Sequence, residues 1–220
     1  GFYLRFLPIS VIEKAIKHGC RKIVYSSSTA VYGDSKAPYL EGTTKTNPLN
    51  VYGKSKLELE KFATSFTRTN SDLTVIGLRY CNVYGPRESH KGKMASMIYQ
   101  LAQQMLKGNP RLFKSGEQKR DYIYIDDVVR ANLLASQTEK SCLVNCGSGK
   151  ATTFNDLINI LNRTLKLNRT QNYIDNPKPE TYQSHTECDM NLARDKIGFV
   201  PEYNIESGIR AYHESGFLIK

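Results

Sequence analysis

The sequence predicts an α/β fold built around a parallel sheet, and three observations support this prediction. The run "DLTVIGLRY" (72–80) is continuously apolar and β-branched, as in a strand that is covered on both faces. It follows a long helical segment, "NPLNVYGKSKLELEKFATSFTRT" (47–69), and an earlier buried-strand pattern, "RKIVYSSS" (21–28). Helices that alternate with buried strands are typical of a parallel sheet.

The other elements follow from apolar periodicity and from helix and strand breakers. Residues 10–19 have apolar positions at helical spacing and end on Gly19, a common helix stop. Further along, the sequence predicts helices at 94–109, 126–137 (capped by Asp126 or Asp127), 152–165 (with a threonine N-cap), 191–199 and 205–214, and strands at 111–116, 121–125 and 142–149. The elements shorten and mix after residue 82. We therefore expect a main sheet over 1–81 and, over 82–220, a small α+β lobe with returns to that sheet.

Composition restricts the class of protein. Hydrophobic residues make up 40% of the chain and charged residues 24%, as in globular domains, and no apolar run is long enough for a membrane helix. The first ten residues, "GFYLRFLPIS", lack the basic start and apolar stretch of a signal peptide, so we expect none. Five cysteines lack a CxxC pair, and three lie in apolar strand-like runs. They indicate reduced thiols in a cytoplasmic protein rather than a zinc site, and we predict no metal.

The net charge of +10 leaves a question about partners. Such a charge suits nucleic acid, an anionic membrane or a phosphorylated small molecule. Because the basic residues are scattered rather than clustered, they favour a solvated surface over a nucleic-acid interface.

Tyr52 and Lys56 are the first candidates for chemistry. On a helix, positions i and i+4 are neighbours, and an ammonium beside a phenol favours the phenolate. Such a phenol can act as a general base toward an alcohol. Ser28 ends a predicted strand, at the sheet edge where open α/β folds bind ligands, and could share a substrate hydroxyl with Tyr52. Each motif alone has a plain structural interpretation, as a chance YxxxK pair or a polar strand end.

Four segments in order make the joint pattern specific: "YSSSTAVYG", "PLNVYGKSK", "LRYCNVYGPR" and "RDYIYIDDVVRA". With them the sequence resembles the extended short-chain dehydrogenase/reductase family of nucleotide-sugar enzymes, from about residue 11 onward. The resemblance implies a Rossmann-like sheet, a bound NAD or NADP, and a catalytic trio of Ser28, Tyr52 and Lys56. It also implies that Tyr52, Lys56 and Val83 contact the cofactor.

One loop resembles a particular subfamily. "NVYGPRESHKGKMASMIYQ" is similar to the ADP-glycero-manno-heptose 6-epimerases, in which the lysine matching Lys91 is a second acid/base group that also contacts the cofactor. "STAVYG" lacks the Asp-Glu pair of the sugar dehydratases. Epimerisation by transient oxidation needs proton transfer on both faces of a sugar carbon. Tyr52 and Lys91 are therefore expected on opposite sides of it.

The same resemblance implies a nucleotide-diphosphate sugar as the substrate. The positions that match its contacts are Asn82, Lys93, Gln100, Phe113, Arg120 and Tyr182. Lys93 and Gln100 stand where serine and histidine are familiar, and the segment before Arg120 is one residue shorter, which leaves the exact sugar open. For Phe113, a core role is an equal alternative. Arginine can bind a diphosphate through its forked guanidinium.

The family's glycine-rich phosphate turn is missing. "GFYLRFLPIS" has one glycine, while "NCGSGKATTF" (145–154) comes too late in the chain to be favoured as a phosphate loop. We therefore expect either that the first sheet strands lie upstream or that the protein is a shortened variant, and that the 220 residues alone are inactive. A UDP-hexose 4-epimerase, or a non-catalytic remnant that binds RNA or protein, remains an alternative. Family members commonly pair, so a homo-oligomer is expected.

Overall fold

The computed structural model describes residues 2–177 and 182–219, with side chains from residue 8 onward. Within these ranges the α-helices are α1 (Phe2–Lys17), α2 (Val51–Thr69), α3 (Met97–Lys107), α4 (Ile125–Gln137), α5 (Phe154–Leu165), α6 (Asn191–Ile197) and α7 (Ile205–Glu214). The strands are β1 (Lys22–Ser28), β2 (Thr74–Tyr80), β3 (Asn82–Tyr84), β4 (Arg111–Phe113), β5 (Lys119–Tyr124), β6 (Cys142–Cys146), β7 (Ala151–Thr153) and β8 (Asn172–Ile174).

The main sheet is parallel, as predicted, with strand order β1-β2-β6. Ser28 pairs with Tyr80, so β1 and β2 end together at one edge. On one face, Ile12 of α1 and Leu59 of α2 pack against the sheet. On the other face, α4 and α6 bury β2 and β6. Because both faces are covered, the strands can be apolar throughout, which explains the continuous run seen in β2.

A second sheet is mixed, with order β3-β5-β7, and β4 pairs with β8 in a separate parallel ribbon. The face of β5 that carries Tyr122 and Tyr124 packs against α3, α5 and α7 in one apolar cluster. Ile123, on the opposite face of β5, belongs to the core beneath the main sheet. Strand β5 therefore joins the two parts of the molecule.

Some predicted boundaries are wrong. α1 extends through Pro8 to Phe2 instead of beginning at residue 10. The N-cap of α4 is Tyr124, not Asp126 or Asp127. Asp127 lies in the first turn, and its carboxylate instead accepts the backbone N–H groups of residues 202 and 203. The predicted threonine cap of α5 is confirmed, since Thr153 accepts the N–H of residue 156.

Two further features agree with the composition. In the described part of the chain, no helix is both long and apolar enough to cross a membrane. All five cysteines are free thiols, and Cys81, Cys146 and Cys188 are buried. Burial raises the pKa of the Cys142 thiol. Cys142 and the three buried cysteines therefore behave as apolar core residues.

Candidate active site

The end of β1 and the first turns of α2 bring the predicted trio to one sheet edge. The Lys56 amine donates to the carbonyl of Ser26 at 2.8 Å and stands 5.6 Å from the centre of the Tyr52 ring. Desolvation by burial lowers the pKa of Lys56. Ser28 caps a short 3-10 turn, and its hydroxyl accepts the N–H of Ala30 at 3.2 Å. Tyr52 is 43% exposed, so its phenol is open to a ligand.

Close packing at Gly53 sets the position of this helix. A Cβ added to Gly53 would stand 2.6 Å from the carbonyl oxygen of Ala30 and 2.9 Å from the Cβ of Pro48. Asn50 caps the helix by accepting the Gly53 N–H at 2.8 Å. Only glycine lets α2 approach the turn after Ser28 this closely.

A buried polar network holds α2 from below. The carboxylate of Glu60 binds the guanidinium of Arg79 through hydrogen bonds of 2.8 and 2.7 Å and accepts the Ser27 hydroxyl at 2.5 Å. Arg79 also donates to the Tyr32 hydroxyl at 2.8 Å. Glu60 lies four residues beyond Lys56 on α2, so the two residues are neighbours one helical turn apart. This network fixes how α2 is rotated over β1 and β2.

Lys91 lies on a separate segment, the Lys91 loop (residues 88–96), which joins β3 to α3. The buried carboxylate of Glu88 closes the base of the loop by accepting the Ser96 N–H at 2.6 Å and the Ser96 hydroxyl at 2.7 Å. None of residues 89–94 is buried. Within the described residues, the Lys91 amine has no hydrogen-bond or ion-pair partner.

A cleft of about 330 Å³ lies between α3, β4 and β5. Its walls include four of the six predicted substrate residues, namely Gln100, Phe113, Arg120 and Tyr182. Phe113 and Tyr182 meet edge to face, with ring centres 5.4 Å apart. Two edge-to-face rings and several side-chain amides make a surface that suits a nucleobase or sugar.

Of the two arginines that line this cleft, Arg111 is exposed and Arg120 is buried. Its guanidinium carbon stands 4.9 Å above the Tyr182 ring and 5.8 Å from the Phe154 ring, and the residue is 9% exposed. One guanidinium nitrogen donates to the carbonyl of Lys119 at 2.8 Å. No carboxylate of residues 2–177 or 182–219 forms an ion pair with it. Because a buried cation needs a counter-charge, the cleft is suited to an anionic ligand.

The remaining predicted contacts lie outside the cleft. Both N–H groups of the Asn82 side chain are used, on the carbonyl of Asp121 at 2.9 Å and the Thr186 hydroxyl at 3.3 Å, so only its oxygen is left for a ligand. Val83 packs partly buried against the core beside the main sheet. Lys93 is exposed in the Lys91 loop.

The turn at 147–149 is already occupied by a carboxylate of the chain. Asp121 accepts the Ser148 N–H and hydroxyl at 2.7 Å each, the Gly149 N–H at 3.1 Å and the Cys188 N–H at 3.2 Å. The N–H groups of Ser148 and Gly149 are therefore already used and are not available to a phosphate. Cys81, Asp121 and Cys188 place potential metal-ligand atoms within 4.8 Å of one another. With four hydrogen bonds already made, that carboxylate is committed to the turn.

Sequence reasoning missed part of the cleft wall. Gln104, Arg111, Gln118 and Phe154 also line it. Gln104 follows Gln100 by four residues on α3, and this spacing is the signal that could have identified it. Gln118 could not be found this way, because a turn places it there.

Comparisons with known proteins find relatives and solved structures that are named as nucleotide-sugar epimerases. ADP-L-glycero-D-manno-heptose-6-epimerase of Alkalilimnicola ehrlichii is 38% identical over 91% of the chain, which spans 66% of that relative's length. The crystal structure of the enzyme of that name from Helicobacter pylori superposes with a TM-score of 0.86 at 37% identity, over 96% of this chain and 65% of that one. UDP-glucose 4-epimerase of Thermotoga maritima, solved with UDP-glucose, gives 0.87 at 32% identity, over 96% and 68%.

The match to a family profile covers the parallel sheet and the region between β2 and β6. Residues 7–147, which include Ser28, Tyr52, Lys56 and Lys91, match the profile described as the NAD dependent epimerase/dehydratase family. That span is well over half of the 220 residues. The chain therefore belongs to the NAD dependent epimerase/dehydratase family.

Proposed function

We propose that the whole protein is an NAD(P)-dependent nucleotide-sugar epimerase that acts on an ADP-glycero-manno-heptose. The observation that carries this proposal is Arg120, a nearly buried guanidinium that lines an aromatic cleft and has no acidic partner among the described residues. A diphosphate would supply a counter-charge and matches the forked donors of arginine. Relatives named for the heptose reaction support the choice of sugar.

The residues at the sheet edge fit the nicotinamide end of NAD or NADP. Lys56 is partly desolvated, and its amine lies near the accessible Tyr52 phenol. The amine would bind the nicotinamide ribose, and the phenol would act at the sugar carbon that becomes a carbonyl. Tyr52, Lys56, Val83 and Lys91 would hold this end. When bound, the nicotinamide supplies a reversible acceptor for a hydride. The turn at 147–149 is not assigned to the pyrophosphate, because Asp121 fills it.

The acid/base chemistry is assigned to the chain's own residues. Tyr52 takes the proton from the reacting hydroxyl as the ketone forms, with Lys56 stabilising the phenolate. Ser28 donates a hydrogen bond to the same oxygen. After the ketone has turned, Lys91 returns a proton from the opposite side. Arg120 and the aromatic pair hold the nucleotide during both half-reactions, which keeps the sugar in place while its carbon inverts.

The proposal is tested by binding and by turnover. Isothermal titration should detect ADP binding to the chain, and Arg120→Met should weaken it by about tenfold or more, as expected for loss of a charged hydrogen bond. In the whole protein with NADP, proton NMR should show interconversion of the two C6 epimers of the ADP-heptose, and Tyr52→Phe should abolish it. Absence of both nucleotide binding and epimerisation would contradict the proposal.

A second candidate is UDP-hexose 4-epimerisation, favoured by the superposition on the enzyme solved with UDP-glucose. This reaction needs one base, so Lys91→Ala separates the two. Severe loss of epimerisation with intact nucleotide binding supports the heptose reaction. Little effect, together with conversion of UDP-glucose, supports the hexose reaction.

A further inference from the structure

We infer that Gln100 is a positioning residue through which nucleotide binding in the cleft orders the Lys91 loop. The inference rests on the proposed function, since it assumes a nucleotide in the cleft. Gln100 lies in the first turn of α3 and forms part of the cleft wall. Its side-chain nitrogen reaches back to the loop and donates to the carbonyls of Ala95 at 2.7 Å and Lys93 at 3.3 Å.

The chemistry of these partners fixes the orientation of the amide. Both partners are carbonyl oxygens, which can only accept, so the Gln100 nitrogen must face the loop. Its oxygen, on the other end of the same planar group, accepts no hydrogen bond within the described residues. It is therefore the end left for an N–H or O–H donor in the cleft. One rigid amide thus contacts the loop with its nitrogen and offers its oxygen to a ligand.

The loop depends on this amide because it has few other attachments. Glu88 holds the base of the loop at Ser96, and the Lys91 N–H bonds within the loop to the carbonyl of Glu88 at 3.0 Å. The side chains at the tip are not buried, and Met94 is 84% exposed. Of the two bonds from Gln100, the one to Ala95 lies beside the base of the loop. The one to Lys93, two residues from Lys91, ties the exposed part of the loop to α3 and the cleft.

A ligand that immobilises Gln100 should reduce the freedom of the loop. When a nucleotide N–H or hydroxyl binds the oxygen, the side chain loses alternative rotamers, and the two loop carbonyls retain their donor for more of the time. Lys91 is then held in place for more of the time when the cleft is filled. In a catalytic cycle, Lys91, the second acid/base group, would then be positioned after the substrate has bound.

Hydrogen exchange of residues 88–96, followed by mass spectrometry with and without saturating ADP or UDP, tests the inference. In the wild-type chain, we expect nucleotide to slow exchange in this segment by about threefold or more. Gln100→Leu should bind nucleotide at saturation but lose this slowing. Gln104→Leu is the matched control, because Gln104 lines the same cleft but bonds the N–H of Arg111 at 3.0 Å instead of the loop. It should retain the slowing.

The outcomes separate this inference from the proposed function. If a nucleotide binds and the exchange of residues 88–96 is unchanged, or if Gln100→Leu responds like wild type, the coupling is wrong and the proposed function stands. If neither ADP nor UDP binds, both fail. Exchange of residues 88–96 is also measured in the variants without nucleotide. If Gln100 had a purely structural role, its substitution would change this exchange but leave the slowing by nucleotide intact.

Discussion

Glu60 and Arg79 form a bidentate ion pair between helix α2 and strand β2, with relative side-chain exposures of 4% and 7%. Glu60 belongs to the same helix as Tyr52 and Lys56, and the pair lies between this helix and the main sheet. Because both charges are out of water, each depends on the other and on Ser27 and Tyr32 for compensation.

Glu60→Gln should lower the free energy of unfolding by about 3 kcal/mol, because it leaves the Arg79 charge buried without a counter-charge. Urea denaturation measures the loss. The double variant Glu60→Leu with Arg79→Met should recover most of it, since a buried ion pair contributes little over apolar residues of similar volume. The exposed pair Arg163–Glu206 is the control, and Glu206→Gln should cost less than about 1 kcal/mol. Equal losses at both sites would contradict this assignment.

Gly53→Ala should destabilise the protein by about 1–3 kcal/mol, although alanine is the better helix former. The new methyl would meet the backbone oxygen of Ala30 at 2.6 Å, so α2 must move away from the turn after Ser28. We expect a lower kcat for the whole protein with little change in nucleotide affinity. Gly108→Ala, where nothing lies within 4 Å of the added Cβ, should change stability by less than about 0.5 kcal/mol.

Stability should fall at alkaline pH through buried tyrosines. Burial raises the pKa of Tyr39 to about 12, above the value of about 10 expected in the unfolded chain. Between these values the folded state holds the proton that the unfolded state has lost, so the free energy of unfolding decreases as pH rises. Urea denaturation of Tyr39→Phe at pH 9 and pH 11 should show a smaller decrease than wild type. Tyr173→Phe, which alters an exposed ring, should show the wild-type decrease.

Asp121→Ala should cost about 2–3 kcal/mol, because it leaves the buried N–H of Cys188 and the partly buried N–H groups of Ser148 and Gly149 without their acceptor. Thermal unfolding followed by circular dichroism measures this loss. We also expect the turn of this variant to bind phosphate weakly at most. Asp195→Ala, on the exposed side of α6, is the control and should remain within about 0.5 kcal/mol of wild type.

The main sheet was predictable from sequence because its signals are local. β2 is a continuous apolar run, and α2 has a clear cap at Asn50. The short strands were not, since β3, β7 and β8 have three residues each and too little periodicity to detect. The cap of α4 was assigned wrongly because aspartate is a common cap, whereas Asp127 is recruited by a segment some 75 residues away.

The placement of the candidate residues was predictable where family motifs specify it and unpredictable where tertiary contacts decide. Segment order places Ser28, Tyr52 and Lys56 together. Whether a glycine turn binds a ligand or a carboxylate of its own chain depends on the position of β5, which no local pattern reveals. The roles of Glu60 and Gln100 likewise arise from partners that only the folded chain brings near.

Arg120 and Asp121 are adjacent on β5, yet the pleat directs them to opposite sides of the strand. Arg120 lines the cleft, whereas the carboxylate of Asp121 accepts hydrogen bonds from the turn at 147–149. Ligand preference can therefore be altered by substitution at one position without weakening the scaffold at the next. If the proposed function holds, this separation gives laboratory evolution a route to altered ligand preference that starts from a single strand.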